Sequence, residues 1–312
     1  MSQSYAYDPE LADFVPTLPV LDASDVEGIR ALMSDMLGSL PTPDATGVSF
    51  EDRTAPGPPG APDITLRVYR PRQPATDGVV YNVHGGGLIL GDLDTDHARN
   101  IALVRELGAV LVSVDYRLAP ENPYPAGLED AYAGLCWTAE HAAELGVDPS
   151  RLVLHGASAG GNLCAALALL ARDRGGPAIA FQFLGVPQVD DRTDTPSMEL
   201  TEVPLWTPDS FAAAWRHYLG RPGGGADTPE YAAPGRAADL TGLPPAYVSV
   251  MHYDPLRDQG MAYAQALLHA GNAVELHLFP GTFHGSAFAE HTEISRRELD
   301  EEVAVLRRAL NA

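Results

Sequence analysis

The chain has 312 residues, 45% of them hydrophobic, enough to bury one large core with no need of a second. Its 42 acidic and 20 basic residues leave a formal charge of −22, which argues against nucleic acid and anionic membrane surfaces as partners. Every basic residue is an arginine, and without lysine neither Schiff-base chemistry nor a Ser-Lys pair is available.

Residues 1 to 46 carry a helical pattern around Val26 to Leu37. Met1 to Tyr5 has neither the positive region nor the apolar core of a signal peptide, and no stretch approaches membrane-spanning length, so a cytoplasmic protein is expected. Strands are predicted near 47 to 54, 63 to 70, 78 to 83, 109 to 114, 151 to 155, 179 to 184, 246 to 251 and 274 to 279, with helical patterns between most of them. The first two form an antiparallel pair, because the Pro- and Gly-rich residues 55 to 62 leave no room for a crossover helix. Cys136 and Cys164 fall in helical segments, read as small buried hydrophobes without metal-ligand spacing. Residues 188 to 243 insert between strands and carry Trp206, Phe211, Trp215 and Tyr218. The last three, at i, i+4 and i+7 on a helix starting at Pro208, fit a packing stripe.

Chemistry enters at strand ends. The run Leu152 to Gly161 is an apolar strand that breaks at a glycine-flanked serine, Ser158, and opens into the alanine-rich helix predicted over 161 to 172. That is the pattern of a nucleophile elbow, a turn tight enough to strain the serine's backbone and push its hydroxyl clear of the sheet. A lone G-x-S-x-G is weak, but the third strand ends in His84-Gly85-Gly86-Gly87. Acyl transfer puts negative charge on a carbonyl oxygen, and preorganised N–H donors stabilise it. Gly85, Gly86 and Gly87, with Ala159, would supply those donors; sequence leaves open which two of the three glycines point inward.

A serine needs a base and the base an orienter. Of the ten histidines, His155, His252 and His277 lie in strand-like runs, His97, His141, His217 and His269 in helical ones, and His291 in an acidic lead-in to the last helix. His84 belongs to the glycine loop and is expected to brace it. His284 sits on a short glycine-bounded loop, Pro280 to Gly285, at a strand's carboxyl end, where the catalytic groups of open parallel sheets gather. The acid should follow the preceding strand. Asp254 is nearer its end and held by Pro255, whereas Asp258 lies a turn into the next helix. The order Ser158, Asp254, His284 is that of an α/β hydrolase.

Collinear with these motifs are Gly91-Asp92, Asp115-Tyr116-Arg117-Leu118-Ala119-Pro120-Glu121, Pro125, Glu129-Asp130 and Asp254-Pro255-Leu256-Arg257-Asp258. The whole resembles the hormone-sensitive-lipase-like branch of the α/β-hydrolase fold, the bacterial family IV carboxylesterases. The resemblance implies a single α/β domain over 1 to 312: a mostly parallel eight-stranded sheet flanked by helices, under a helical cap from about 1 to 46 and 188 to 243. It implies a cofactor-free and metal-free serine hydrolase of short- to medium-chain acyl esters, acting on a small-molecule ester, with pairing into homodimers frequent in the family. The candidate triad and the glycine loop lie outside both cap segments in sequence.

Three positions depart from the usual pattern: Ala157 replaces an Asp before the nucleophile, Leu88 an aromatic, and Ser286 a Phe. The last two are smaller and would widen the pocket, so Leu88 and Ser286 are candidate substrate-binding residues, and Trp206 and Phe211 join them as aromatics of the insertion placed to line the substrate entrance. The same triad would also serve an amidase, formamidase or deacetylase. A non-catalytic ligand receptor on this fold is disfavoured by the presence of His284.

Overall fold

A computed structural model describes residues 5–311. Met1 to Ser4, at the head of the N-terminal segment and of the stretch read as free of a signal peptide, and Ala312 lie outside the described residues. Eight strands form one sheet: β1 (Val48–Ala55), β2 (Ile64–Pro71), β3 (Val79–Val83), β4 (Val110–Asp115), β5 (Leu152–Ala157), β6 (Phe181–Gly185), β7 (Ala246–Tyr253) and β8 (Val274–Phe283), in the order β1-β2-β4-β3-β5-β6-β7-β8. β1 pairs antiparallel with β2, and β2 with β4; β3 to β8 run parallel. Their carboxyl ends therefore share one edge.

The helices are α1 (Pro9–Ala12), α2 (Val26–Gly38), α3 (His97–Leu107), α4 (Ala126–Glu140), α5 (Ala142–Leu145), α6 (Ala159–Arg174), α7 (Pro208–Leu219), α8 (Arg257–His269) and α9 (Glu293–Leu310). α4, α6 and α8 share the main core with one face of the sheet, whereas α3 and α9 pack on the other, over Tyr69, Val80, Val153, Phe183 and Tyr247. β3 is buried along its whole length, the mark of a central parallel strand. In α6, every residue from Ala159 to Ala171 is buried. A helix apolar all round suits a position enclosed on every side. No helix among the described residues is long and apolar enough to cross a membrane.

The last two strands run further than their apolar patterns predict, to Tyr253 and Phe283 instead of 251 and 279. A register shift between Met251 and Tyr253 absorbs the mismatch, and Gly281 at φ +74° carries the chain past Asp8, where a Cβ would come 2.5 Å from the Asp8 nitrogen. Pairing resumes at Tyr253 and Phe283, so the residues that follow, Asp254 and His284, leave the sheet side by side.

The N-terminal segment and the insertion meet above this edge. Leu21 N–H donates to Leu205 O (2.7 Å) and Leu205 N–H to Pro19 O (3.0 Å). Phe211, Trp215 and Tyr218 are all buried on α7, as the stripe spacing requires. From α2, Arg30 reaches the carbonyls of Ile89 and Ala119. The glycine loop, separate from the N-terminal segment in sequence, is thus hydrogen-bonded by it.

Under the α3 and α9 face lies a polar network. His155 bridges Asn82 Oδ1 (2.7 Å) and Glu302 Oε1 (2.8 Å), and Arg99 donates to Glu302 Oε2 (2.6 Å). Burial opposes the Glu302 charge, but Arg99 and His155 hold its carboxyl down to about 2. Glu298, one turn earlier, has its Oε2 shut from solvent with no hydrogen-bond partner among the described residues. Burial and then the Glu302 charge push it up from 4.5 to about 8. A carboxyl favoured in its neutral form by folding stabilises fully below its unfolded value and loses that contribution as pH rises through its folded one. Glu298→Gln should therefore match the parent in Tm at about pH 4 and exceed it at about pH 9 by the equivalent of about 2 kcal/mol, discounted because the rest of the side chain reaches solvent. Parallel pH dependences of Tm would show that Glu298 stays charged.

Candidate active site

Ser158 follows β5 and caps α6 at φ +57°, ψ −118°, a region that side-chain-bearing residues seldom occupy. The neighbouring bonds hold it there: its N–H donates to Gly185 O (2.8 Å), and its carbonyl accepts from Asn162 (3.0 Å) and Gln188 (3.1 Å) N–H groups. The flanking glycines have a steric cause. A Cβ on Gly160 would lie 2.0 Å from Val83 O, and one on Gly156 2.5 Å from the Gly160 main chain, so strand and helix pass only without side chains at both positions. Ser158 Oγ is buried and has no hydrogen-bond partner among the described residues.

Asp254 is fully buried. Its Oδ1 accepts from Leu256 N–H (2.8 Å) and its Oδ2 lies 2.8 Å from His284 Nδ1, which fixes the ring and leaves Nε2 as its other nitrogen. Asp258 is engaged elsewhere, accepting from Ser197 N–H (2.7 Å) and Arg257 Nε (2.8 Å). Two aromatic rings cover the imidazole. Trp206 stacks on Phe211 (centroids 5.1 Å apart), and both meet His284 edge-on, at 6.4 and 5.1 Å. Trp206 also reaches the glycine loop, since a Cβ on Gly87 would stand 2.5 Å from its Cη2. One indole therefore spans from the loop to the histidine.

The loop turns sharply, with Gly86 at φ +116°, Gly87 at +61° and Leu88 at +67°. Gly86 O accepts from Ile89 and Leu90, while the N–H groups of Gly86 and Gly87 donate to no acceptor among the described residues. Gly85 packs against the elbow: a Cβ there would meet Ala157 O at 3.1 Å and Ser158 Cβ at 3.8 Å. Ala159 opens α6, where a first-turn N–H has no partner within the helix. His84 braces the loop from inside through Nδ1 to Gly85 O (2.8 Å), stacked on Tyr116 at 4.2 Å.

The remaining pocket candidates separate. Trp206 and Phe211 stand over His284, whereas Leu88 is buried in the main core and held through its carbonyl by Ala119 N–H (3.1 Å). Ser286 is buried with its hydroxyl on Met251 Sδ (3.9 Å) and its carbonyl taken by Ser295. Ala157, at the elbow, is exposed. Of the two cysteines expected to be buried, Cys164 is fully enclosed but Cys136 only half-buried; burial raises both thiols, which keeps them protonated. Tyr116 escaped sequence reasoning: its hydroxyl donates to His84 O (3.0 Å) and fixes the start of the loop. The only signal was its place in the Asp115 to Glu121 run.

The comparisons agree with this architecture. The alpha/beta hydrolase fold family matches residues 79–288. A carboxylesterase of Mycobacterium tuberculosis, NlhH, is 42% identical, with 98% of this chain and 97% of that protein covered. The esterase LipI of the same organism is 40% identical over 90% of this chain and 88% of its own. Among solved structures, a bacterial heroin esterase superposes with a TM-score of 0.93 at 43% identity, covering 98% of both chains. The esterase LipW of Mycobacterium marinum gives 0.87 at 36%, over 98% of this chain and 96% of that one. With this coverage and a site assembled on the same sheet edge, the chain belongs to the α/β-hydrolase family, in its hormone-sensitive-lipase-like branch.

Proposed function

We propose that the protein is a serine carboxylesterase that hydrolyses short- to medium-chain acyl esters of small molecules through an acyl-enzyme. The observation that carries this is the Asp254–His284 pair, 2.8 Å apart, at the sheet edge where Ser158 is held at φ +57°. The esterases among its relatives support the same bond as substrate.

In the first step Ser158 Oγ attacks the ester carbonyl while His284 Nε2 takes its proton. Asp254 holds the Nδ1–H tautomer and stabilises the imidazolium. The oxyanion is received by Ala159 N–H and by the glycine loop, in which Gly86 and Gly87 have N–H groups to spare. The imidazolium then protonates the departing alcohol, and water repeats the sequence on the acyl group. The segments 1 to 46 and 188 to 243 act together as the cap. Trp206 and Phe211 from the insertion exclude water from the imidazole.

A panel of 4-nitrophenyl esters of rising acyl length beside 4-nitroanilides of the same acids tests this proposal. The expected result is the highest kcat/KM on short to medium esters, with slow turnover of every anilide. Anilides cleaved as fast as esters would make the protein an amidase, formamidase or deacetylase built on the same residues.

A further inference from the structure

Arg30 lies on α2, in the N-terminal segment, yet its guanidinium is spent on the loop beside Ser158. Nε donates to Ile89 O (2.8 Å) and Nη2 to Ala119 O (3.0 Å), while Nη1 and Nη2 pair with both oxygens of Glu121 (2.7 and 2.9 Å). The ion pair itself is a weak source of stability, because its side chains are 32% and 57% exposed. Its effect is directional. Held by a bidentate carboxylate, the planar fork has its remaining N–H groups aimed at the two carbonyls.

Those carbonyls belong to a closed ring of bonds. Ile89 and Leu90 donate back to Gly86 O, and Ala119 N–H donates to Leu88 O. Arg30 joins Ile89 to Ala119 and completes the circuit. Leu88 within it sits at φ +67°, a conformation that strains a side-chain-bearing residue and persists only when its surroundings hold it.

We propose that Arg30 is a positioning residue for the oxyanion loop: by binding Ile89 and Ala119 from α2 it sets the aim of the Gly86 and Gly87 N–H groups, so the oxyanion site is complete only when the N-terminal segment is seated. This rests on the esterase assignment. Its consequence is that the cap and the oxyanion site are one unit, and unseating the first slackens the second.

The test compares Arg30→Met, Arg30→Ala and Glu121→Gln with the parent, using 4-nitrophenyl acetate and benzeneboronic acid. The boronic acid adds to the serine and places an oxygen in the hole, and calorimetry reads its binding without turnover. In Arg30→Met, kcat should fall about tenfold with KM little changed, and boronate affinity should fall by a similar factor, the scale of a misaimed donor. Glu121→Gln should lose less, since the carbonyl contacts remain. Millimolar guanidinium should restore part of kcat in Arg30→Ala and none in the parent.

Unchanged kcat in Arg30→Met overturns the proposal. So does a loss of kcat that leaves boronate affinity intact or tracks a falling Tm without guanidinium rescue. A parent that binds boronate but hydrolyses no ester would sink the esterase assignment alone, and the boronate comparison would still decide Arg30. A parent that does neither sinks both.

Discussion

Ser158→Ala should fold as the parent does and lose about 10^4- to 10^6-fold in turnover of 4-nitrophenyl acetate, the range seen when a serine hydrolase loses its nucleophile. The strained backbone belongs to the elbow and not to the hydroxyl, because Ser158 N–H stays bonded to Gly185 O and its carbonyl to Asn162 and Gln188. Alanine at φ +57° inherits the strain, so Tm should move little. Ser158→Gly, equally inactive, should gain stability by about 1 kcal/mol, since only glycine adopts that region freely. A serine-directed phosphonate should label Ser158 in the parent and nothing in either variant. Full activity in Ser158→Ala, or labelling at another serine, would remove the elbow from the mechanism.

The second large effect separates two aspartates four residues apart. Asp254→Asn should cost about 10^4-fold in kcat, because an amide facing His284 Nδ1 favours the wrong imidazole tautomer and offers the imidazolium no charge. His284→Ala should be at least as damaging. Asp258→Asn should keep most of the activity and lower Tm by a few degrees at most, since its carboxylate serves Ser197 N–H and Arg257. Steady-state kinetics and thermal melts on the three variants decide the matter. A crippled Asp258→Asn beside a healthy Asp254→Asn would reverse the choice of acid.

The tight turn at Ser158 was legible because its constraints are local. The glycines around Ser158 are demanded by atoms a few residues away and by the strand beneath, and a triple glycine after a buried strand leaves few other uses. The strand count and the leading antiparallel pair were legible for a similar reason, since alternation and linker length are written in consecutive residues. Composition alone excluded a lysine base.

Other features needed the tertiary structure. The apolar pattern of the last two strands fades at 251 and 279, but pairing continues to Tyr253 and Phe283 through a bulge and a glycine, because backbone hydrogen bonds do not depend on side-chain hydrophobicity. That extension aligns Asp254 with His284. Leu88 and Ser286 were chosen by size against a pattern, and Trp206 and Phe211 as aromatics of the insertion, whereas their placement depends on distant partners: Met251 for Ser286, Ala119 for Leu88, and the imidazole itself for Trp206 and Phe211. Arg30 had no sequence signal. It stands 59 residues from Ile89 and 91 from Glu121, and its meaning arises only where α2 crosses the loop. Sequence determined which residue types could do the chemistry, because that follows from neighbours along the chain; the tertiary structure decided which of them face one another, because that follows from contacts the chain order does not contain.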